Sequence, residues 1–118
     1  MIEFTVYGKP RTLKRHRDGK HGKYDPSAAD KLIFVSECID RRPARPIDYP
    51  VIVEMDFCFK NHQSEPDVDN CVKFILDALN EIFWKDDKFV VGIKAFKTFG
   101  ATKPRTIIKI YSKGEYHG

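Results

Sequence analysis

The chain has 118 residues, 42% apolar and 32% charged, with a formal net charge of +4. That length suits one domain, residues 1–118, around one core, and the apolar fraction argues against disorder. No run of about 18 apolar residues is present, which excludes a spanning helix, and Met1-Ile2-Glu3-Phe4-Thr5-Val6-Tyr7 lacks the basic and apolar regions of a signal peptide, so a cytoplasmic chain is expected.

Ile2, Phe4 and Val6 alternate with polar neighbours and predict a first strand, ended by Gly8 and Pro10. Lys9 to Lys23 reads as a basic loop with seven Lys/Arg and one Asp, net +6. It is either a surface connection or an arm that contacts phosphates through Lys and Arg. Asp25-Pro26-Ser27 is a helix-start signal, and Ala28, Leu32, Val35 and Ile39 place one face of a helix over residues 26–39. A proline-rich connection leads to Val51, Val53, Met55, Phe57 and Phe59, the clearest alternation in the chain.

A second helix is expected over residues 67–83, with Asp67 as its cap and Val72, Ile75, Leu76, Leu79 and Phe83 on its apolar face. After a turn at Trp84–Lys88, a third strand runs from Phe89 to Lys97. Phe99–Pro104 reads as a hairpin loop, Arg105–Tyr111 as a fourth strand, and Ser112–Gly118 as a frayed tail. The expected fold is a small mixed α/β (α+β) sheet with two helices, in the order β-α-β-α-β-β. The second helix closes a βαβ unit and the last two strands form a hairpin.

Charge is segregated along the chain. Glu54 to Asp87 carries net −6 and Lys88 to Gly118 net +6, so an acidic centre lies between basic arms. That pattern suits a protein that binds a polyanion and needs carboxylates at one spot. Cys38, Cys58 and Cys71 are odd in number and widely spaced, which predicts buried reduced thiols. His16 and His21 stand among cations that would repel zinc.

In the acidic centre, Asp69, Lys73 and Asp77 are four residues apart and share one helix face. Two readings of this stripe remain open. It is a surface ion-pair ladder worth tenths of a kcal/mol per pair, or it handles charge during phosphodiester cleavage. Magnesium needs hard oxygen ligands and keeps several waters, so Asp67, Asp69 and one of Asp86 and Asp87 would suffice if they converged. Along a continuous helix Asp87 would lie roughly 30 Å from Asp67. It approaches only if the chain doubles back or a symmetry mate supplies it. Trp84 is either core or a stacking platform.

The pattern D-x-D-N-x-x-K-x-x-x-D-A-L followed by W-x-D-D-x-x-V is carried by Asp67, Asp69, Asn70, Lys73, Asp77, Ala78, Leu79, Trp84, Asp86, Asp87 and Val90. It resembles the RusA family of Holliday-junction endonucleases. The resemblance implies a homodimer that uses Mg2+, or Mn2+ in its place, to nick branched DNA, a four-way junction, symmetrically in recombination and repair. It implies metal ligands at Asp67, Asp69 and Asp87, with Asp86 less firmly placed, and a catalytic lysine at Lys73. Family members carry basic residues before the D-x-D step, where this chain has Glu65-Pro66. DNA grip is therefore expected from Lys9, Arg11, Lys14, Arg15 and Arg17, assisted by Lys103 and Arg105. Phe96 and Phe99 are candidates for the dimer surface. The competing readings are a non-catalytic branched-DNA-binding protein and a metal-dependent phosphoesterase for small substrates.

Overall fold

A computed structural model describes residues 1–13, 17–19, 22–61 and 66–118. In chain order its elements are β1 (Ile2–Tyr7), β2 (Arg17–Gly19), β3 (Gly22–Tyr24), α1 (Ala28–Cys38), β4 (Val51–Cys58), α2 (Val68–Leu79), β5 (Val90–Thr98) and β6 (Arg105–Ser112). Single 3-10 turns follow α1 and precede β5. The mixed sheet and two helices match expectation. The basic arm departs from it: part of the expected loop pairs as the β2–β3 hairpin.

The main sheet has the strand order β1-β6-β4-β5. β6 runs antiparallel to both its neighbours, and β4 and β5 run parallel. The expected hairpin between the last two long strands is therefore absent. β6 enters between β1 and β4, and residues 99–104 carry the chain across the end of β4. Backbone bonds hold the crossing: Phe59 N–H donates to the Thr98 carbonyl at 2.7 Å, Ala101 N–H to Phe59 at 3.0 Å, and Gly8 N–H to Pro104 at 2.9 Å. In this position Ile108 pairs with Phe4 and Met55, and Ile110 with Ile2 and Val53. Both isoleucines are buried, and β1 gains its partner.

Both helices cover one face of the sheet. The core joins Val51, Val53, Met55 and Phe57 of β4 to Phe34 of α1 and to Phe74, Ile75 and Leu79 of α2. Phe34 and Phe74 meet edge to face at 5.7 Å, a geometry that ring quadrupoles favour. The buried face of α1 differs from the expected one. Phe34 and Cys38 point inward, whereas Leu32 is 72% exposed. The sheet lies under the row that holds the aromatic ring; of the expected row, Leu32 is left to solvent and Val35 packs at the margin of the core.

α2 ends at Leu79, four residues earlier than expected. Asn80 leaves the helix in an extended conformation, and Glu81 takes a left-handed φ of 68°. That reversal lets Glu81 N–H donate to the Trp84 carbonyl at 2.7 Å, and Ile47 N–H to Phe83 at 3.0 Å. Phe83 and Trp84 are thereby buried from a turn. The tail is also tied down. Glu115 accepts from Ser112 N–H at 2.8 Å and pairs with the N-terminal ammonium at 3.0 Å. Tyr116 packs edge-on against Tyr111.

Candidate active site

α2 leaves the sheet at the C-terminal end of β4. Its inner face, Cys71, Phe74, Ile75, Ala78 and Leu79, is buried, so the opposite face is turned to solvent. Apolar burial at about 25 cal/mol per Å2 is the anchor for this helix. Burial pushes the Cys71 thiol up to about 11, which keeps it protonated and inert.

Asp67 occupies the N-cap position. Its backbone carbonyl accepts from Asn70 and Cys71 at 3.1 and 3.3 Å. Its side chain makes no capping bond, contrary to expectation. The exposed carboxylate is therefore not consumed by helix-end N–H groups. Asp69 lies in the first turn, and Lys73 Nζ is 4.0 Å from its Oδ2, with both side chains about two-thirds exposed (67% and 63%).

The third member of the stripe points elsewhere. Asp77 Oδ2 accepts from Lys31 of α1 at 3.1 Å, and Lys31 also donates to Asp25 at 2.6 Å. Burial pulls the Lys31 ammonium down, but the two carboxylate bonds outweigh it and hold its pKa above the usual 10.5. Asp25 also accepts from Ser27 N–H at 2.8 Å. It caps the turn before α1, while Ser27 is the N-cap residue itself. Asp77 thus braces α2 against α1 and against the chain leaving β3.

Cations gather at the same end of the sheet as Asp67 and Asp69. Lys97 Nζ lies 3.4 Å from the Pro66 carbonyl, directly before α2. Lys9 and Lys60 line a hollow of about 200 Å3 with Phe59, Asn61 and Pro104. Lys103 and Arg105 line a wider one of about 450 Å3 with Tyr7 and Gly100. Arg11 is half-buried. Lys14, Arg15, His16 and His21 lie outside the described residues. Arg17 begins β2, but its side chain also falls outside them. Lys60 and Lys97 were not anticipated. The signal for Lys97 was the parallel register, which sets it beside Phe57 at the strand end that feeds α2.

Asp86 and Asp87 lie at the other end. Val90, three residues on, pairs with Val51, whereas Thr98 pairs with Cys58. β5 is 9 residues long, so at about 3.3 Å per residue its ends are roughly 26 Å apart. One protomer does not bring Asp87 to Asp67 and Asp69. Among the described residues no group of three His, Cys, Asp or Glu side chains is close enough to hold a metal ion. Asp86 caps the 3-10 turn by accepting from Lys88 N–H at 2.9 Å. Asp87 Oδ1 accepts from the indole N–H of Trp84 at 2.8 Å. Trp84 is fully buried and so belongs to the core, with its polar edge turned to a carboxylate.

The site therefore offers two exposed carboxylates at the start of α2, a lysine beside Asp69, and cations over the adjoining strand ends. That donor set fits a magnesium-like ion, which takes one or two protein carboxylates and keeps its waters. Among the described residues no helix is long and apolar enough to cross a membrane. The profile of the family described as "Endodeoxyribonuclease RusA" matches residues 3–111. An uncharacterized protein of Bacillus subtilis (strain 168), YqaN, is 32% identical over 92% of this chain and 94% of its own length. The chain belongs to the RusA endodeoxyribonuclease family, hydrolases of the Holliday-junction resolvase class.

Proposed function

We propose that this nuclease is a divalent-metal-dependent homodimer that resolves four-way DNA junctions by paired nicks. The observation that supports the reading best is the state of Asp67 and Asp69. Both are exposed at the start of α2, the Asp67 side chain is not used as a cap, and Lys73 stands 4.0 Å from Asp69. Asp67 and Asp69 would hold the ion, which when bound activates a water and offsets charge on the scissile phosphate. Lys73, an exposed ammonium, orients that phosphate and meets the negative charge that develops on it. Lys9, Lys60, Lys97, Lys103 and Arg105 position the DNA backbone, joined by Arg11 and the basic arm with Lys14, Arg15 and Arg17.

Asp87, at the far end of β5, acts on this reading from a second copy. A twofold dimer then presents two sites to a junction that is itself nearly twofold symmetric. The Asp87 side chain is held by Trp84 through one oxygen, which leaves the other free for a ligand role. Asp86 is likewise held through one oxygen, by Lys88 N–H of its own turn, and stands as the alternative to Asp87.

The test is a synthetic four-way junction incubated with Mg2+ or Mn2+. The expected result is paired, ligatable nicks from the natural chain and none from Asp69→Asn, with junction binding kept by the variant. Tight binding with no cutting by either protein would instead support a DNA-binding role. Turnover of small phosphoesters without junction binding would support a phosphoesterase.

A further inference from the structure

We infer that the hollow at the end of β1, walled by the ring of Tyr7, is a nucleobase pocket that takes an unstacked base from the branch point of bound DNA. The inference rests on the junction reading above and assigns Tyr7 as the stacking platform.

Tyr7 is the last residue of β1, and its side chain is 63% exposed. A tyrosine ring is a large apolar body, and leaving it in water forgoes its burial. Its surroundings suit a nucleic acid. Arg105 stands directly opposite it across the β1–β6 pair. Tyr7, Lys103 and Arg105 line one hollow of about 450 Å3 with Gly100, Ala101 and Thr102, and no carboxylate is in that lining. Phe96 is a second exposed ring on a hollow, but it shares that one, of about 180 Å3, with Glu54 and Asp56. Those two acids repel a polyanion, and Tyr7 is the better platform.

The backbone builds the walls. Gly8 N–H donates to the Pro104 carbonyl at 2.9 Å and Ala101 N–H to Phe59 at 3.0 Å, which ties the crossing segment to both β1 and the end of β4. Gly100 has a φ of 84°, and a Cβ there would meet nothing within 4 Å, so this wall is bare backbone with open space over it. Arg105 Nη1 donates to the Lys103 carbonyl at 3.1 Å, which fixes the guanidinium beside Lys103.

A base out of its stack needs an apolar partner for its face, polar groups for its edge, and cations for the phosphates on either side. The Tyr7 ring, the exposed Thr102 hydroxyl, and the Lys103–Arg105 pair supply them in that order. Stacking accepts any base, because every base has a π-face, so the hollow reads branching and not sequence. A base leaves the stack at least cost where pairing and stacking are already interrupted, as at a branch point. Tyr7 is level with Arg105, and Arg105 with Cys58, so the ring lies two strand spacings, about 10 Å, from the end of β4. Asp67 and Asp69 follow that end of β4 on the helix side. The hollow therefore stands beside the carboxylates and handles a different nucleotide from the one that is cut.

The experiment uses the full chain without added divalent metal, and a synthetic four-way junction with 5-iododeoxyuridine at a branch-point position. Near-ultraviolet excitation should couple the probe to Tyr7, located by peptide mass spectrometry. Tyr7→Leu should lower junction affinity about tenfold, the order of one stacked base. It should leave linear duplex binding and the slope of log binding constant against log salt unchanged, whereas Arg105→Gln should lower that slope by about 0.9. Tyr7→Trp should restore the affinity, and Tyr49→Leu, on the loop before β4, should change nothing. Circular dichroism of Tyr7→Leu should match the natural chain, since the side chain is exposed. Equal losses on junction and duplex, or coupling only to other residues, overturn the proposal. Junction binding and cutting that survive intact in Tyr7→Leu remove the hollow alone, while a natural chain that binds no junction removes the reading above and the pocket with it.

Discussion

At the scale of single residues, the bond between Trp84 and Asp87 ties a core ring to a carboxylate just before β5. A buried indole needs an acceptor, and Asp87 supplies it at 2.8 Å. Trp84→Phe keeps a ring in the core but removes the donor, with an expected cost of about 1–3 kcal/mol in urea unfolding. If Asp87 serves the metal, cutting should fall by more than the stability loss explains, and Mn2+ binding should weaken alongside it. Unchanged Mn2+ affinity in a folded Trp84→Phe protein would assign the bond to packing alone. The buried thiols make a separate prediction. Burial raises Cys38 to about 12 and Cys71 to about 11 from an ordinary 9.0, with nearby carboxylates adding to the effect. Each holds its proton more tightly folded than unfolded. Their contribution is complete below pH 9.0 and is lost as pH rises from there toward 12. Lys31, also raised, loses its bonds to Asp25 and Asp77 as pH climbs past 10.5. Thermal melts should fall progressively through that window, and a Cys38→Ala/Cys71→Ala protein should show a shallower fall, whatever its absolute stability.

At the scale of elements, α2 has two solvent-facing parts with different work. Asp67, Asp69 and Lys73 face outward near its start, while Asp77 reaches Lys31 of α1. Asp77→Asn should cost about 0.2–1 kcal/mol, since its side chain is 50% exposed, and cutting should survive. Loss of cutting equal to that of Asp69→Asn would put Asp77 in the chemistry. The separation was only partly legible in the sequence. Periodicity gave β4, where every second residue of Val51–Phe57 is buried, and the body of α2, although its buried face is Cys71, Phe74, Ile75, Ala78 and Leu79, with the expected Val72 and Leu76 at a partly buried margin. The same reasoning ran the helix to Phe83, because Phe83 fits the apolar period. It is buried as expected, but from a reversed turn that Glu81 makes possible. The face of α1 was misread because Leu32 and Ile33 are as apolar as the residues that pack. The lateral order of strands was illegible for a physical reason. Ile108 and Ile110 alternate in the same way whether β6 lies at an edge or between two strands, and only the partners differ.

At the scale of the whole molecule, Lys9, Lys60, Lys97, Lys103 and Arg105 share the end of the main sheet where α2 begins. If Lys60 and Lys103 touch phosphates, replacing both with Gln should lower the slope of log binding constant against log salt by about 1–2, since each duplex phosphate contact contributes about 0.9. An unchanged slope would place them off the DNA path. The insertion of β6 has a further consequence, in the kinetics of folding. β4, α2 and β5 are consecutive and can associate with modest loop closure, but β1 gains its partner only through pairs such as Ile2 with Ile110. That closes a loop of roughly a hundred residues, an entropic cost that slows the step without greatly changing final stability. Until it closes, β6 presents an open edge on the side β1 will fill, the kind of surface on which half-folded chains aggregate. Yield of active protein should therefore depend on refolding temperature and concentration more than on the stability of the finished fold.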